Sequence, residues 1–174
     1  LKDFFGFVEW VIHTGTVFAF SCTGALILPF VSIYTRGIND ADYIQPLFAA
    51  VLVTANAAHC LCTPYHLMIL AGGHYKQTQN SFVISAVMNI VLSIILVNNY
   101  GLIGVAIGTL AAMLYQTVWM AYYNSKNFIE WPFRFFLKQI AIDIITVILV
   151  VMFSNAVNMN VSTYMEWFIC AIKV

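Results

Sequence analysis

The stretch Tyr100 to Thr109, "YGLIGVAIGT", places Gly101, Gly104 and Gly108 between two apolar runs. A dinucleotide-binding loop needs G-x-G-x-x-G between a strand and a helix, and a Walker loop needs Gly-Lys followed by Ser or Thr. Neither pattern occurs in the chain. What the decapeptide does contain is an i, i+4 glycine pair, Gly104 and Gly108, continued by Ala111 and Ala112. In a helix these residues form a stripe with little side-chain volume, against which another helix can pack closely. The stretch therefore reads as an external turn at Gly101 leading into a packing helix.

The rest of the chain supports a membrane setting for that helix. Of its 174 residues, 62% are hydrophobic and 8% are charged, whereas an ordinary soluble domain carries about 25% charged residues. Apolar runs approach or reach the about 20 residues that cross a bilayer core. The sequence thus predicts an all-α, polytopic transmembrane bundle with spans near 10–33, 46–71, 81–97, 102–123 and 138–154. A sixth apolar run, 161–174, is incomplete, and with Leu1 as its first residue the chain reads as a piece of a larger protein. A formal net charge of zero gives no electrostatic footprint for nucleic acid. Cys22, Cys60, Cys62 and Cys170 all lie in apolar runs without zinc-site spacing, and read as small buried side chains.

Basic residues collect on the cytoplasmic side of membrane proteins. With alternating spans, one side holds Lys2, Lys76, Lys126, Arg134 and Lys138, and the other holds Arg36. The amino-terminal end of the chain is therefore placed inside. The connector "YYNSKNFIEWPFRFFLK", with its mixed cations and aromatics, reads as a segment in the headgroup region. Gly72 and Gly73 read as carboxy-terminal caps of the second span.

Polar groups inside spans are costly in lipid and point to a bundle interior or a wet cavity. Asn56, His59, Thr63 and His66 fall on one stripe of the second span, beside Pro64, which is expected to kink the helix. His59 and His66 start about 10 Å apart along the axis, too far for one metal ion, so the stripe reads as cavity lining or interhelical contact and no metal is assigned. Ser81, Ser85, Asn89 and Ser93 recur every four residues on the third span, with Asn89 as the residue expected to bond to a neighbouring helix. Glu9, paired at i+4 with His13, and Asp143, within reach of Lys138 or Gln139, lie near the inner boundary as candidates for proton or sodium coupling. At a boundary, such acids are also expected to stay solvated or locally paired. No His-Glu-x-x-His, nucleophile elbow or other catalytic constellation is present.

The segment "LAGGHYKQTQNSFVISAVMNIVLSIILVNNYGLIGVAIGTLAAMLYQT", Leu70 to Thr117, resembles the carboxy-terminal half of Wzx-type bacterial polysaccharide flippases. These belong to a superfamily that also holds multidrug and peptidoglycan-precursor exporters. Gly73, Lys76, Asn89, Gly101, Gly104, Ala106 and Thr109 occupy the family's pattern, and "LPFVSIYTRGINDADYIQPLFA" extends the likeness to about Leu26–Asn124. The resemblance implies a two-lobe transporter in the bacterial cytoplasmic membrane, of which this chain supplies the carboxy-terminal lobe and lacks the amino-terminal one. It also implies an undecaprenyl-pyrophosphate-linked oligosaccharide as cargo, moved by alternating access without a bound cofactor. Asn56, His59, Thr63, His66, Lys76 and Asn89 are then candidates for the cavity that passes it. A cation-coupled multidrug exporter of the same fold is the alternative. A membrane-embedded glycan-modifying enzyme fits less well, because the external loops are short.

Overall fold

A computed structural model describes residues 2–38, 40–128, 132–156 and 163–173. Among them the chain forms α1 (Lys2–Tyr34), α2 (Pro46–Ala71), α3 (Tyr75–Tyr100), α4 (Leu102–Asn127), α5 (Phe133–Ala156) and α6 (Tyr164–Lys173). Five of these helices are long and apolar enough to cross a membrane. A 26-residue helix such as α2, α3 or α4 rises about 39 Å at 1.5 Å per residue, more than the about 30 Å hydrocarbon core. Its polar ends consequently extend into the headgroup layers. The 10-residue α6 reaches about 15 Å, roughly half the core.

The helices are longer than the apolar runs that announce them. α1 begins at Lys2 instead of near Trp10, and α3 begins at Tyr75 instead of Ser81. Hydropathy marks where side chains meet lipid, but backbone hydrogen bonding continues into the aqueous ends, and Lys and Gln are good helix formers there. The same reason corrects the connector expected to lie along the surface. Its first part completes α4 through Asn127 and its last part begins α5 at Phe133, and residues 129–131 lie outside the described residues. α2 runs through the buried Pro64 as one helix.

Two of the turns have clear causes. Gly73, at φ +75°, ends α2 in a Schellman motif: its amide donates to Leu70 at 3.0 Å and the His74 amide donates to Ile69 at 3.3 Å. Gly101 alone separates α3 from α4, at φ 58° and ψ −137°, a backbone conformation that suits glycine. A single residue therefore reverses the chain, tighter than the four-residue connection "NNYG" suggests.

α4 lies at the centre, packed against α3, α2 and α5, while α1 packs on α2, α5 and α6. The glycine stripe lies in the α3–α4 seam. A Cβ on Gly104 would sit 2.4 Å from the Leu96 carbonyl oxygen, and one on Gly108 would sit 2.5 Å from Ser93 Oγ and 2.9 Å from the Ser93 amide nitrogen. Ala112 is buried in the same seam and its carbonyl accepts from Ser85 Oγ at 3.0 Å, while Ala111 is half-buried. Ser81 Oγ reaches Gln116 Oε1 at 3.4 Å, and Asn89 Oδ1 accepts from Ser93 at 3.2 Å and from Thr109 at 3.4 Å. The serine ridge of α3 and the glycine stripe of α4 are thus the two halves of one interface. Across the α2–α4 seam, Thr117 Oγ1 donates to the Ala58 carbonyl at 2.7 Å and Asn124 Nδ2 to the Tyr65 carbonyl at 2.9 Å. Hydroxyl-to-carbonyl and amide-to-carbonyl bonds of this kind hold helices together where lipid supplies no hydrophobic drive.

The buried apolar core, Phe5, Cys62, Tyr65, Ile69, Met120, Ala121 and Phe136, gathers at the end of the bundle that carries the basic residues. Outward faces of α3 and α5 are apolar and exposed, including Ile90, Ile94, Ile145 and Leu149, as lipid contact requires. The chain is therefore a multi-pass helical membrane protein.

Candidate functional site

Inside that basic end, four ionisable side chains from three helices converge. Glu9 and His13 occupy one face of α1 at i, i+4, which directs both toward the same neighbours. Tyr65 comes from α2, and Asp143 comes from α5, on which Gln139 lies one turn before it. The Tyr65 hydroxyl donates to Glu9 Oε1. His13 Nδ1 lies 2.5 Å from Asp143 Oδ2, and Gln139 Nε2 donates to Asp143 Oδ1 at 3.4 Å. All four are removed from solvent: His13 is 0% exposed, Tyr65 2%, Glu9 4% and Asp143 7%.

Aromatic packing places the phenol. The Tyr65 ring sits 5.8 Å from Phe5 and 5.6 Å edge-on from Phe136, and the Asn124 amide holds its backbone carbonyl. Along the helix axes Glu9 lies about 10 Å beyond Lys2, Tyr65 about 9 Å before Ala71, and Asp143 about 15 Å beyond Phe133. The cluster consequently sits about two to three helical turns in from the end of the bundle that carries the basic residues.

Charge balance defines what this arrangement can do. With both carboxyls ionised and the imidazole neutral, the four side chains would carry two negative charges, and burying charge is costly in a low-dielectric interior. Among the described residues, no three His, Cys, Asp or Glu side chains come together as a metal-binding group. His13 Nε2 is buried without a hydrogen-bond partner. As an acceptor lone pair it is tolerated more easily than an unpaired N–H, which favours the tautomer with its proton on Nδ1, toward Asp143.

This cluster departs from the local pairing expected of boundary acids. Asp143 keeps its contact with Gln139, but its principal partner is His13, not Lys138. Glu9 is buried against Tyr65 instead of hydrated. Tyr65 has no signature in the sequence beyond being a hydroxyl within an apolar run, and its distance from Glu9 along the chain hides the contact.

The polar stripe of α2 stays outside the cluster. Asn56, His59 and Thr63 are exposed and His66 is half-buried, its ring edge-on to Phe82 at 5.2 Å. Asn56 donates to its own helix at Leu52. The four residues share one face of α2, which Phe82 of α3 meets at His66 and which is open at Asn56, His59 and Thr63. Lys76 is exposed at the start of α3, close to His66, and Asn89 lies in the α3–α4 seam.

The bundle and the cluster define the class, a multi-pass helical membrane protein with buried titratable groups toward its basic end. Comparison with protein-family models, with curated proteins and with solved structures finds no match.

Proposed function

We propose that this chain is one lobe of an ion-coupled, alternating-access transporter in the bacterial cytoplasmic membrane. Its cargo is a polyprenyl-pyrophosphate-linked oligosaccharide destined for cell-surface polysaccharide. The observation that carries the transport reading is the buried Glu9–Tyr65 and His13–Asp143 pairing. Ionisable groups within membrane bundles are expensive to keep and mark ion and proton pathways. The choice of cargo rests on the resemblance of Leu70–Thr117 to polysaccharide flippases.

The cluster also suggests how a proton is turned into movement. Glu9 ties α1 to α2, and His13 ties α1 to α5. A proton delivered to Asp143 or Glu9 removes the negative charge that each tie contains and weakens the hold on α1. A ligand or ion acts on such an equilibrium only through its differential interaction with the two states, and here that difference is concentrated on one helix. The open polar face of α2, with His59 and Thr63 in mid-span, is suited to line the passage against the amino-terminal lobe.

The test uses the full-length protein in cells. Asp143→Asn, which keeps the shape and one acceptor, is expected to leave membrane abundance unchanged and to abolish surface polysaccharide, as is His59→Ala. Normal polymer with both variants would overturn the reading. Loss of drug resistance with polymer intact would favour the multidrug exporter, in which the same cluster would couple a different cargo.

A further inference from the structure

A groove of about 510 Å³ opens between the end of α2 and the start of α3, lined by His66, Leu70, Lys76, Gln79, Phe82 and Val83 among others. That volume lies in the range of small-molecule sites, about 300–1,000 Å³. Its composition is graded. Lys76 and Gln79 stand at the α3 end, where the chain enters the inner headgroup layer, and Phe82 and Val83 follow at i+3 and i+4 from Gln79, one turn deeper along the same helix. Leu70 and His66 descend the opposite wall on α2.

The polar end of the groove favours an anion. Among the described residues Lys76 has no acidic partner. The first amides of α3 have no side-chain cap, because the residue at the cap position, His74, is turned toward α4. There its Nδ1 pairs with the Tyr123 hydroxyl at 2.8 Å and its ring packs 4.5 Å from Phe128. Lys76 therefore lines the opening from the first turn of α3, where the helix dipole is positive. The apolar end favours hydrocarbon: Phe82 and Val83 are 41% and 55% exposed at a depth where acyl chains run. A water-soluble anion would use only the upper half of this groove.

We propose that the α2–α3 groove binds the anionic phosphate headgroup of a membrane lipid, with Lys76 and the α3 amino terminus on the phosphate and Leu70, Phe82 and Val83 along the chain. The site is separate from the Glu9–Asp143 cluster, and its His66 and Lys76 are also among the residues expected to line the cargo passage.

The experiment is native mass spectrometry of the purified chain in detergent, titrated with phosphatidylglycerol, with phosphatidylcholine of identical acyl chains, and with inorganic phosphate alone. Phosphatidylglycerol is expected to be retained in preference to phosphatidylcholine. Lys76→Gln is expected to weaken its retention about five-fold, the factor corresponding to the about 1 kcal/mol contributed by one interfacial lysine. Lys76→Arg and Lys126→Gln, the latter at the same end of the bundle but outside the groove, are expected to bind as the parent does. Unchanged retention with Lys76→Gln would overturn the proposal, as would an equal loss with Lys126→Gln, which would mean diffuse attraction. Lys76-dependent binding of inorganic phosphate that displaces the lipid would also overturn it, since the site would then read free phosphate.

Discussion

His13 on α1 and Asp143 on α5 approach to 2.5 Å although 130 positions separate them in the chain. Both are buried, so their bond joins the first and fifth spans where neither group has an aqueous alternative. Removing one partner of a buried pair leaves the other uncompensated, at a cost of about 3–5 kcal/mol, whereas replacing both with apolar residues is often close to neutral. Asp143→Leu alone is therefore expected to lower the unfolding temperature in detergent markedly. The double variant His13→Leu/Asp143→Leu should recover most of that loss while remaining inactive in transport. Additive losses in the double variant would show that the two residues do not act as a pair.

Tyr65→Phe keeps the ring against Phe5 and Phe136 and deletes only the hydroxyl that donates to Glu9. Leaving a buried hydrogen-bonding group without its partner costs about 1–3 kcal/mol, so destabilisation in that range is expected. Combining it with Glu9→Gln, which removes the charge, should cost less than the sum of the single changes. Chemical denaturation of all three variants measures the coupling.

Glycine substitutions separate contact from helix propensity. Gly104→Ala places a methyl group 2.4 Å from the Leu96 carbonyl oxygen and forces α3 and α4 apart, and Gly108→Leu does so more severely. Overpacking typically costs about 1–3 kcal/mol, and loss of folded protein is expected for the leucine variant. Gly15→Ala is the control: nothing lies within 4 Å of its Cβ position, so it should be neutral or stabilise α1 by up to about 1 kcal/mol. Thermal stability in detergent that ranks the three in any other order would sink the packing account.

Gly101→Ala tests conformation without contact. A Cβ there meets nothing within 4 Å, yet φ is +58°. Residues forced into such sparsely populated regions cost about 1–3 kcal/mol, and the variant is expected to unfold that much more easily, with faster proteolysis at the α3–α4 turn. A stability equal to that of the parent would mean that the turn tolerates a different backbone.

Much of this architecture is legible in the residues because it is local. The Gly104, Gly108 and Ala112 stripe, the α3 serine ridge with Asn89 bonding outward, and the Gly72–Gly73 cap each follow from spacing within one helix. Helix ends were less legible, since Lys2, Tyr75 and Asn127 are helical for reasons of hydrogen bonding that hydropathy does not report. The α2 stripe was legible as a shared face, and the structure adds that this face is exposed at Asn56, His59 and Thr63 and half-buried at His66.

The candidate cluster was legible only in part. Glu9, His13 and Asp143 stand out as polar residues in apolar surroundings, and sequence spacing links Glu9 to His13 and Asp143 to Gln139. It cannot link Glu9 to Tyr65 or His13 to Asp143, because those pairings depend on which helices are neighbours and on their relative rotation. Periodicity and composition by themselves determined a multi-pass helical bundle and the close packing of its glycine stripe, since each of these is written within a single helix. Only the tertiary structure decided that two acids expected near water are instead buried against a phenol and an imidazole, because burial depends on what the other helices bring to the same place.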